Sequence, residues 1–305
     1  MYFPYFRGRQ NELLALRELV NNELLSESIL PIIEPISISS TLMLTIEAFI
    51  NKQKRIGIVF NPSVGNLCSR NLAEFQDNER FYKLVNSSLL LKTVLLDGNN
   101  IDEECEYNIA ILKNKDNLQK YFILTEKINF TYLLIPDESS IRRKITKETI
   151  LLEDHFNKAT KNSEYLKKED EFFSDDIFYY KEEKYKGFGD YSIIGDEFST
   201  SGFAPYAIAI HIIYLSDKEL RIHHFVSDSN NGIENPAGKY YEAVQKLTIW
   251  AKTKNIDKTM GLSFFMKSYA NETYHGLGII KKYSIMHHLE LISKILERTK
   301  TNELL

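Results

Sequence analysis

Short, nearly continuous apolar runs recur from residue 29 to residue 195, each followed by a polar or turn-forming residue. They cover residues 29–34 (ILPIIE), 56–61 (IGIVFN), 91–97 (LKTVLLD), 107–113, 130–136, 149–154 and 191–195. A strand with one wet face alternates apolar and polar residues, whereas a strand buried on both faces does not alternate and belongs to a parallel sheet covered by helices. Amphipathic stretches lie between several of the runs. Residues 11–22 place Leu13, Leu14, Leu16, Leu19 and Val20 on one stripe, as a helix packed on a sheet requires. Residues 41–54, 79–87 and 116–128 repeat the pattern, with Ser39 and Ser40 available to cap the second helix. Strands alternating with helices predict right-handed parallel crossovers. An open doubly wound sheet is the competing arrangement, but it usually carries a glycine-rich turn after an early strand. Here the first turn is Glu34-Pro35-Ile36-Ser37, and neither GxGxxG nor GxxxxGKS occurs. The expected fold is therefore an α/β protein of the TIM-like β/α-barrel type.

Two stretches depart from simple alternation. Residues 97–107 are short for a crossover helix. Residues 206–215 (YAIAIHIIYL) and 219–227 (ELRIHHFVS) read as a hairpin turning at Ser216-Asp217-Lys218. The hairpin brings the strand count to nine, one more than an eight-stranded barrel needs, so an extra strand is expected near closure. The predicted division is a barrel over 1–255, including hairpin 206–227, and a C-terminal helical extension over 256–305. The charged run 161–186 predicts an exposed connection, or a lid that is cut first by proteases.

Length and composition fit one barrel with a substantial core: 305 residues, 43% hydrophobic and 26% charged. The net charge of −4 provides no global field for nucleic acid, although a local basic patch is compatible with it. Two cysteines, Cys68 and Cys105, are too few for a disulfide scaffold and lack zinc-ligand spacing. With no signal peptide and no long apolar segment, the expected setting is cytoplasmic, without membrane association.

Barrel enzymes hold their reacting groups at the carboxyl ends of the strands. The polar residues there are Glu34, Asn61, Asp97, Asp137, Glu153, Asp154 and Asp196. Carboxylates in a ring can share a proton or hold a divalent cation such as Mg²⁺, but the same residues also cap helices. Glu34, stopped by Pro35, is the strongest of them. On the hairpin, alternation sends His223 and His224 to opposite faces, and a histidine there is either a core residue or a general base. Gly187-Phe188-Gly189-Asp190 and Ser227-Asp228-Ser229-Asn230-Asn231-Gly232 imply special backbone geometry. Asp190 is expected to share a polar cluster with His224 or Asp228, with Arg221 or a hairpin histidine as its partner. The candidate catalytic set is thus Glu34, Asp97, Glu153, Asp190, His224 and Asp228. No GxSxG, HExxH, zinc or kinase motif is present.

The opening Tyr2-Phe3-Pro4-Tyr5-Phe6-Arg7-Gly8-Arg9-Gln10-Asn11-Glu12, with Ala15-Leu16 and Ile29-Leu30-Pro31-Ile32-Ile33-Glu34, resembles the start of the phage beta-protein family and its bacterial relatives. The likeness returns at Gly187–Tyr191, Gly202–Tyr206 and His224–Asn230. The resemblance implies a barrel-like fold and a setting near phage-defence or mobile-element genes, and supplies no catalytic residues. Because no complete catalytic set is readable, the expected role is an accessory or binding component whose partner is a protein from a neighbouring defence gene; a nucleic-acid partner is not supported by the net charge. The alternative is a barrel hydrolase or phosphodiesterase with a carboxylate-rich, Mg²⁺-dependent mouth. Convergence of Glu34, Asp97, Glu153 and a hairpin histidine on one open pocket would favour the enzyme, whereas a mouth plugged by side chains, with an aromatic patch elsewhere, would favour binding.

Overall fold

A computed structural model describes residues 1–68, 70–72, 78–199, 205–254 and 256–300. The strands, in chain order, are β1 (Tyr5–Phe6), β2 (Ile32–Ile33), β3 (Ile56–Val59), β4 (Leu90–Leu95), β5 (Ile109–Ile111), β6 (Tyr132–Ile135), β7 (Ile150–Glu153), β8 (Asp170–Ser174), β9 (Gly187–Asp190), β10 (Ala209–Ser216) and β11 (Glu219–Val226). The helices are α1 (Gln10–Asn21), α2 (Ser40–Asn51), α3 (Glu79–Val85), α4 (Leu118–Thr125), α5 (Ser139–Arg142), α6 (Asp176–Tyr179), α7 (Pro236–Lys254), α8 (Met260–Ala270) and α9 (Leu277–Lys300). The chain forms two compact units. The first comprises residues 1–23, 27–154 and 179–191, and the second comprises 24–26, 155–178 and 192–305.

The first unit is a β/α barrel of TIM type. Its parallel strands follow the order β1-β2-β3-β4-β5-β6-β7-β9, with helices between most successive strands. Its interior is filled by Phe3, Tyr5, Ile32, Val59, Leu95, Ile111, Leu134 and Leu152, among others, so it is a packed core and not a channel. The expected cap of α2 is present, with Ser39 Oγ accepting from Leu42 N at 3.1 Å. The short 97–107 link carries no helix, yet β4 and β5 pair in parallel, Thr93 opposite Ile109.

Closure rests on the Gly187-Phe188-Gly189 motif. Phe3 N donates to Phe188 O at 2.8 Å and Phe188 N donates to Met1 O at 3.0 Å, with a parallel bridge between Tyr2 and Phe188. A Cβ on Gly189 would stand 2.4 Å from Phe3 O, and one on Gly187 would stand 2.6 Å from Met1 O. Both glycines let the last strand reach the N-terminal segment. The last strand therefore ends before the predicted run 191–195. Ile193 and Ile194 lie outside any strand, because two glycines made a true strand look like a loop.

The second unit holds a three-stranded antiparallel sheet in the order β10-β11-β8. The hairpin thus belongs to its own sheet and its own unit. The chain divides at residues 154/155, 178/179 and 191/192, whereas the sequence suggested a boundary at 255/256. Residues 161–186 are not a loose connection. They supply a 3-10 turn (Asn162–Lys167), β8 and α6, and β8 pairs with β11. On one face of the sheet Ile208, Ile210, Ile212 and Phe225 pack with Tyr240, Val244, Leu247 and Phe265 of the helices.

The buried histidines of α9 belong to this packing. His287 Nε2 donates to Ile213 O at 2.6 Å, and its Nδ1 accepts from the Thr259 hydroxyl at 2.7 Å, which fixes a neutral ring. Burial pushes His287 down to about 4. Burial, with the neighbouring His287 and His155, pushes His288 down to about 3. Between these values and the ordinary histidine value near 6.5, the unfolded chain binds protons that the folded chain refuses. Stability should therefore fall as pH drops below about 6.5, by about 1.4 kcal/mol per pH unit for each histidine. Urea midpoints measured from pH 7 to pH 5 check this; a flat profile would mean that both rings accept protons when folded.

Candidate functional site

The carboxyl end of the barrel brings together Tyr5, Arg7, Glu34, Ser63, Lys113 and Tyr191. Glu34 is fully buried and ion-paired to Arg7. Its other donors are the Tyr5 hydroxyl at 2.6 Å, Ser63 N at 2.6 Å and the Ser63 hydroxyl at 2.8 Å. Burial alone would raise its carboxyl, but the Arg7 charge and these bonds hold it below the ordinary range. Lys113 Nζ lies 5.8 Å from the Tyr5 ring centroid and 5.9 Å from that of Tyr191. Both oxygens of Glu34 are occupied by internal donors. The strongest sequence candidate therefore ties the ends of β1, β2 and β3 together and presents no open lone pair.

The other expected carboxylates do not form a ring with it. Asp97 is exposed. Glu153 accepts from Asp137 N at 2.5 Å, and Asp137 pairs with Arg142 at 3.0 Å. Asn61 holds Leu95 N and Leu95 O at 2.8 and 2.9 Å, a strand-end bracket. Asp154 is exposed and Asp196 half-buried. Among the described residues, no group of three or more His, Cys, Asp or Glu side chains could share a metal ion. Neither cysteine forms a disulfide.

Asp190 is buried and accepts from the Tyr2 hydroxyl at 2.7 Å; Tyr2 in turn stacks on Phe188 at 5.0 Å. Arg221 pairs instead with Asp170 and Glu219. Asp228 is an exposed partner of Lys246 at 2.7 Å, and among the described residues it shares no polar partner with His224. Of the Gly202–Tyr206 block, residues 202–204 lie outside the described residues.

His224 is the candidate that leads to a site. The register of the hairpin sets His211 directly opposite it, and the two Nδ1 atoms are 2.7 Å apart. His224 Nε2 is 3.2 Å from Glu171 Oε1 on β8. Glu171 also receives Lys168 Nζ at 2.5 Å and Asn157 Nδ2 at 3.0 Å. Burial raises its carboxyl, but these three donors outweigh burial and leave it below the ordinary range, hence ionised. Its partner on His224 must then be an N–H, and because burial lowers His224 below the ordinary histidine range the ring is neutral and its Nδ1 is left as an acceptor. His211 Nδ1 must therefore carry the proton donated to it, and His211 Nε2 is left with an open lone pair. Burial first, then His224 and Lys281, lower His211 well below the ordinary range, so the ring is neutral near pH 7.

His211 lines a cavity of about 510 Å³ within the second unit. Phe156 and Tyr165 form aromatic walls, their rings 5.2 and 4.8 Å from that of His211. Ile193, Ile208 and Ile280 add apolar surface, and Lys158, Lys281 and Ser284 add polar groups. The Ser284 hydroxyl is buried and has no hydrogen-bond partner among the described residues. An apolar hollow with a few convergent polar groups is the usual form of a small-molecule site. Sequence reading reached His224 but missed Glu171, which sits in the charged run. His223 faces the other way, toward Asp170 at 3.0 Å and the Trp250 ring at 5.0 Å.

Comparison of the chain with family models, with curated proteins and with solved structures finds no match. Among the described residues, no helix is long and apolar enough to cross a membrane.

Proposed function

We propose that this chain is an enzyme of hydrolytic type, with His211 as general base for a small substrate held in the second unit's cavity. The observation that carries this reading is the Glu171–His224–His211 chain. It ends in a lone pair on Nε2 of His211, a residue that lines the cavity, and a carboxylate stands ready to stabilise the imidazolium that forms when that nitrogen takes a proton. The aromatic and isoleucine walls suit an apolar body. Lys281 suits an acidic group, and neutralising its charge on binding would raise the proton affinity of His211, moving the base toward its working range. This keeps the hydrolase expectation but moves it from the barrel mouth, where Glu34 is occupied, to the sheet of the second unit. The test is a panel of carboxylic esters and phosphodiesters bearing apolar groups, assayed with the parent chain and with His211→Asn. Turnover of at least one class, reduced more than about 100-fold in the variant, is expected. No turnover of any member, or equal turnover by both proteins, would sink the reading.

For the biological setting, we keep the phage beta-protein-like resemblance as a proposal. It places the chain among bacterial phage-defence or mobile-element genes, as an accessory component with a neighbouring gene product as partner. The bonds between Arg7 and Glu34 support treating the first two resembling blocks as one structural unit.

A further inference from the structure

A second hollow, of about 780 Å³, lies in the first unit, beside the amino-terminal ends of β7 and β9. The loops leading into these parallel neighbours run side by side, with Lys186 N donating to Thr149 O at 2.8 Å. Arg142, Arg143 and Lys147 line it from one loop, and Lys181, Lys184 and Lys186 from the other. Its carboxylates are Glu148 and Glu183. A chain of net charge −4 thus concentrates a marked cationic excess around one concave surface.

Internal ion pairs do not absorb that excess. Arg142 pairs with Asp137 at 3.0 Å and Lys186 with Glu148 at 3.4 Å. Arg143 donates only to the Ser139 carbonyl and hydroxyl, at 3.1 and 2.9 Å. Lys147 donates to Asn129 Oδ1 at 3.3 Å and to the Phe130 carbonyl. Lys181 lies 5.8 Å from the Tyr180 ring centroid. Among the described residues, Arg143, Lys147, Lys181 and Lys184 have no carboxylate partner. Like charges set around one hollow repel each other, and an entering anion relieves that repulsion. All four are exposed, so packing does not account for their convergence. Their spread over two loops matches successive phosphates better than a single carboxylate, which one arginine fork can satisfy alone. The hollow sits at the end of the strands opposite to the Arg7–Glu34 cluster and is separate from the proposed His211 site.

We propose that this basic hollow binds a run of successive phosphates, supplied by a nucleic-acid backbone or by a short polyphosphate such as a nucleotide tail. The full chain is titrated by fluorescence anisotropy with a labelled single strand of about 20 nucleotides, and by calorimetry with inorganic tripolyphosphate. With four phosphate contacts, single-strand affinity should fall about 50-fold between about 50 and about 200 mM salt. Arg143→Glu/Lys181→Glu/Lys184→Glu should weaken binding at least tenfold at an unchanged melting temperature. If charge reversal harms folding, Lys181→Gln/Lys184→Gln gives the same reading with a smaller effect. Single-strand binding that tripolyphosphate does not reproduce identifies the backbone as the source. Tripolyphosphate binding alone identifies the short polyphosphate. Failure of both probes at low salt, or undiminished binding by a folded variant, overturns the proposal.

Discussion

Glu34→Ala should be among the most damaging single changes in the barrel, costing about 3–5 kcal/mol, because it takes the Glu34 carboxylate away from the buried Arg7 guanidinium. The side-chain exposures are 6% for Arg7 and 0% for Glu34, so water cannot replace the lost partner. The Tyr5 hydroxyl and Ser63 lose their acceptor as well. The joint change Arg7→Met/Glu34→Leu should recover much of the loss, since it removes both charges. The pH dependence has a definite sign. Glu34's carboxyl is lowered on folding, so its contribution is present above the unfolded value near 4.3 and is lost as pH falls through the folded value. Urea unfolding of the parent, single and double variants at pH 7 measures the stability changes, and repeating it on the parent and the double variant down to about pH 4 measures the pH dependence. A single variant as stable as the parent would remove Glu34 from its structural role and reopen it as a chemical group.

The barrel was legible because its strands advertise burial on both faces. Of the residues expected in core strands, Ile32, Ile58, Val59, Val94, Leu95, Ile111, Leu133, Leu134 and Leu151 are buried strand residues, whereas Ile193 and Ile194 lie outside any strand. The strand that failed this test, β9, consists of Gly187-Phe188-Gly189-Asp190. Its glycines are there for close backbone approach, and close approach leaves no hydrophobic signature. The hairpin was legible, and its register was within reach. A two-residue turn at Asp217-Lys218, with Asp217 at φ +54°, sets Ser216 opposite Glu219. Counting back along both strands then sets His211 opposite His224. β8 was hidden for a different reason. Asp170, Glu171, Phe172, Phe173 and Ser174 alternate only weakly, follow Lys167-Lys168-Glu169 and precede Asp175-Asp176, so local composition indicated a solvated run. Glu171 is buried and held by the nearby Lys168 together with Asn157 and His224, which come from outside that window. Such a carboxylate cannot be recognised from its own neighbours.

Glu171→Gln is the change expected to alter the proposed chemistry most while leaving the sheet intact. The carboxylate can only accept, and that single constraint fixes every proton in the chain as far as His211. Glutamine can also donate. If its amide turns an N–H toward His224 Nε2, that nitrogen becomes an acceptor and His224 Nδ1 takes the proton. His211 Nδ1 must then accept across the 2.7 Å contact, and the proton moves to His211 Nε2, the position from which the base would act. Even if the amide oxygen faces His224, the charge that would stabilise an imidazolium is gone. Either outcome should lower kcat by about 10²- to 10⁴-fold, with little change in KM, because Glu171 is not among the residues lining the cavity. His223→Asn, on the opposite face of the same strand, should leave the rate unchanged. A readout that needs no substrate is the ¹⁵N shift pattern of His211, which distinguishes a protonated Nδ1 from a protonated Nε2. The parent should show protonated Nδ1, and Glu171→Gln should shift the population toward protonated Nε2. A parent already protonated at Nε2 would mean that Glu171 does not set the tautomer, and His211 would then be a packing histidine beside an apolar cavity.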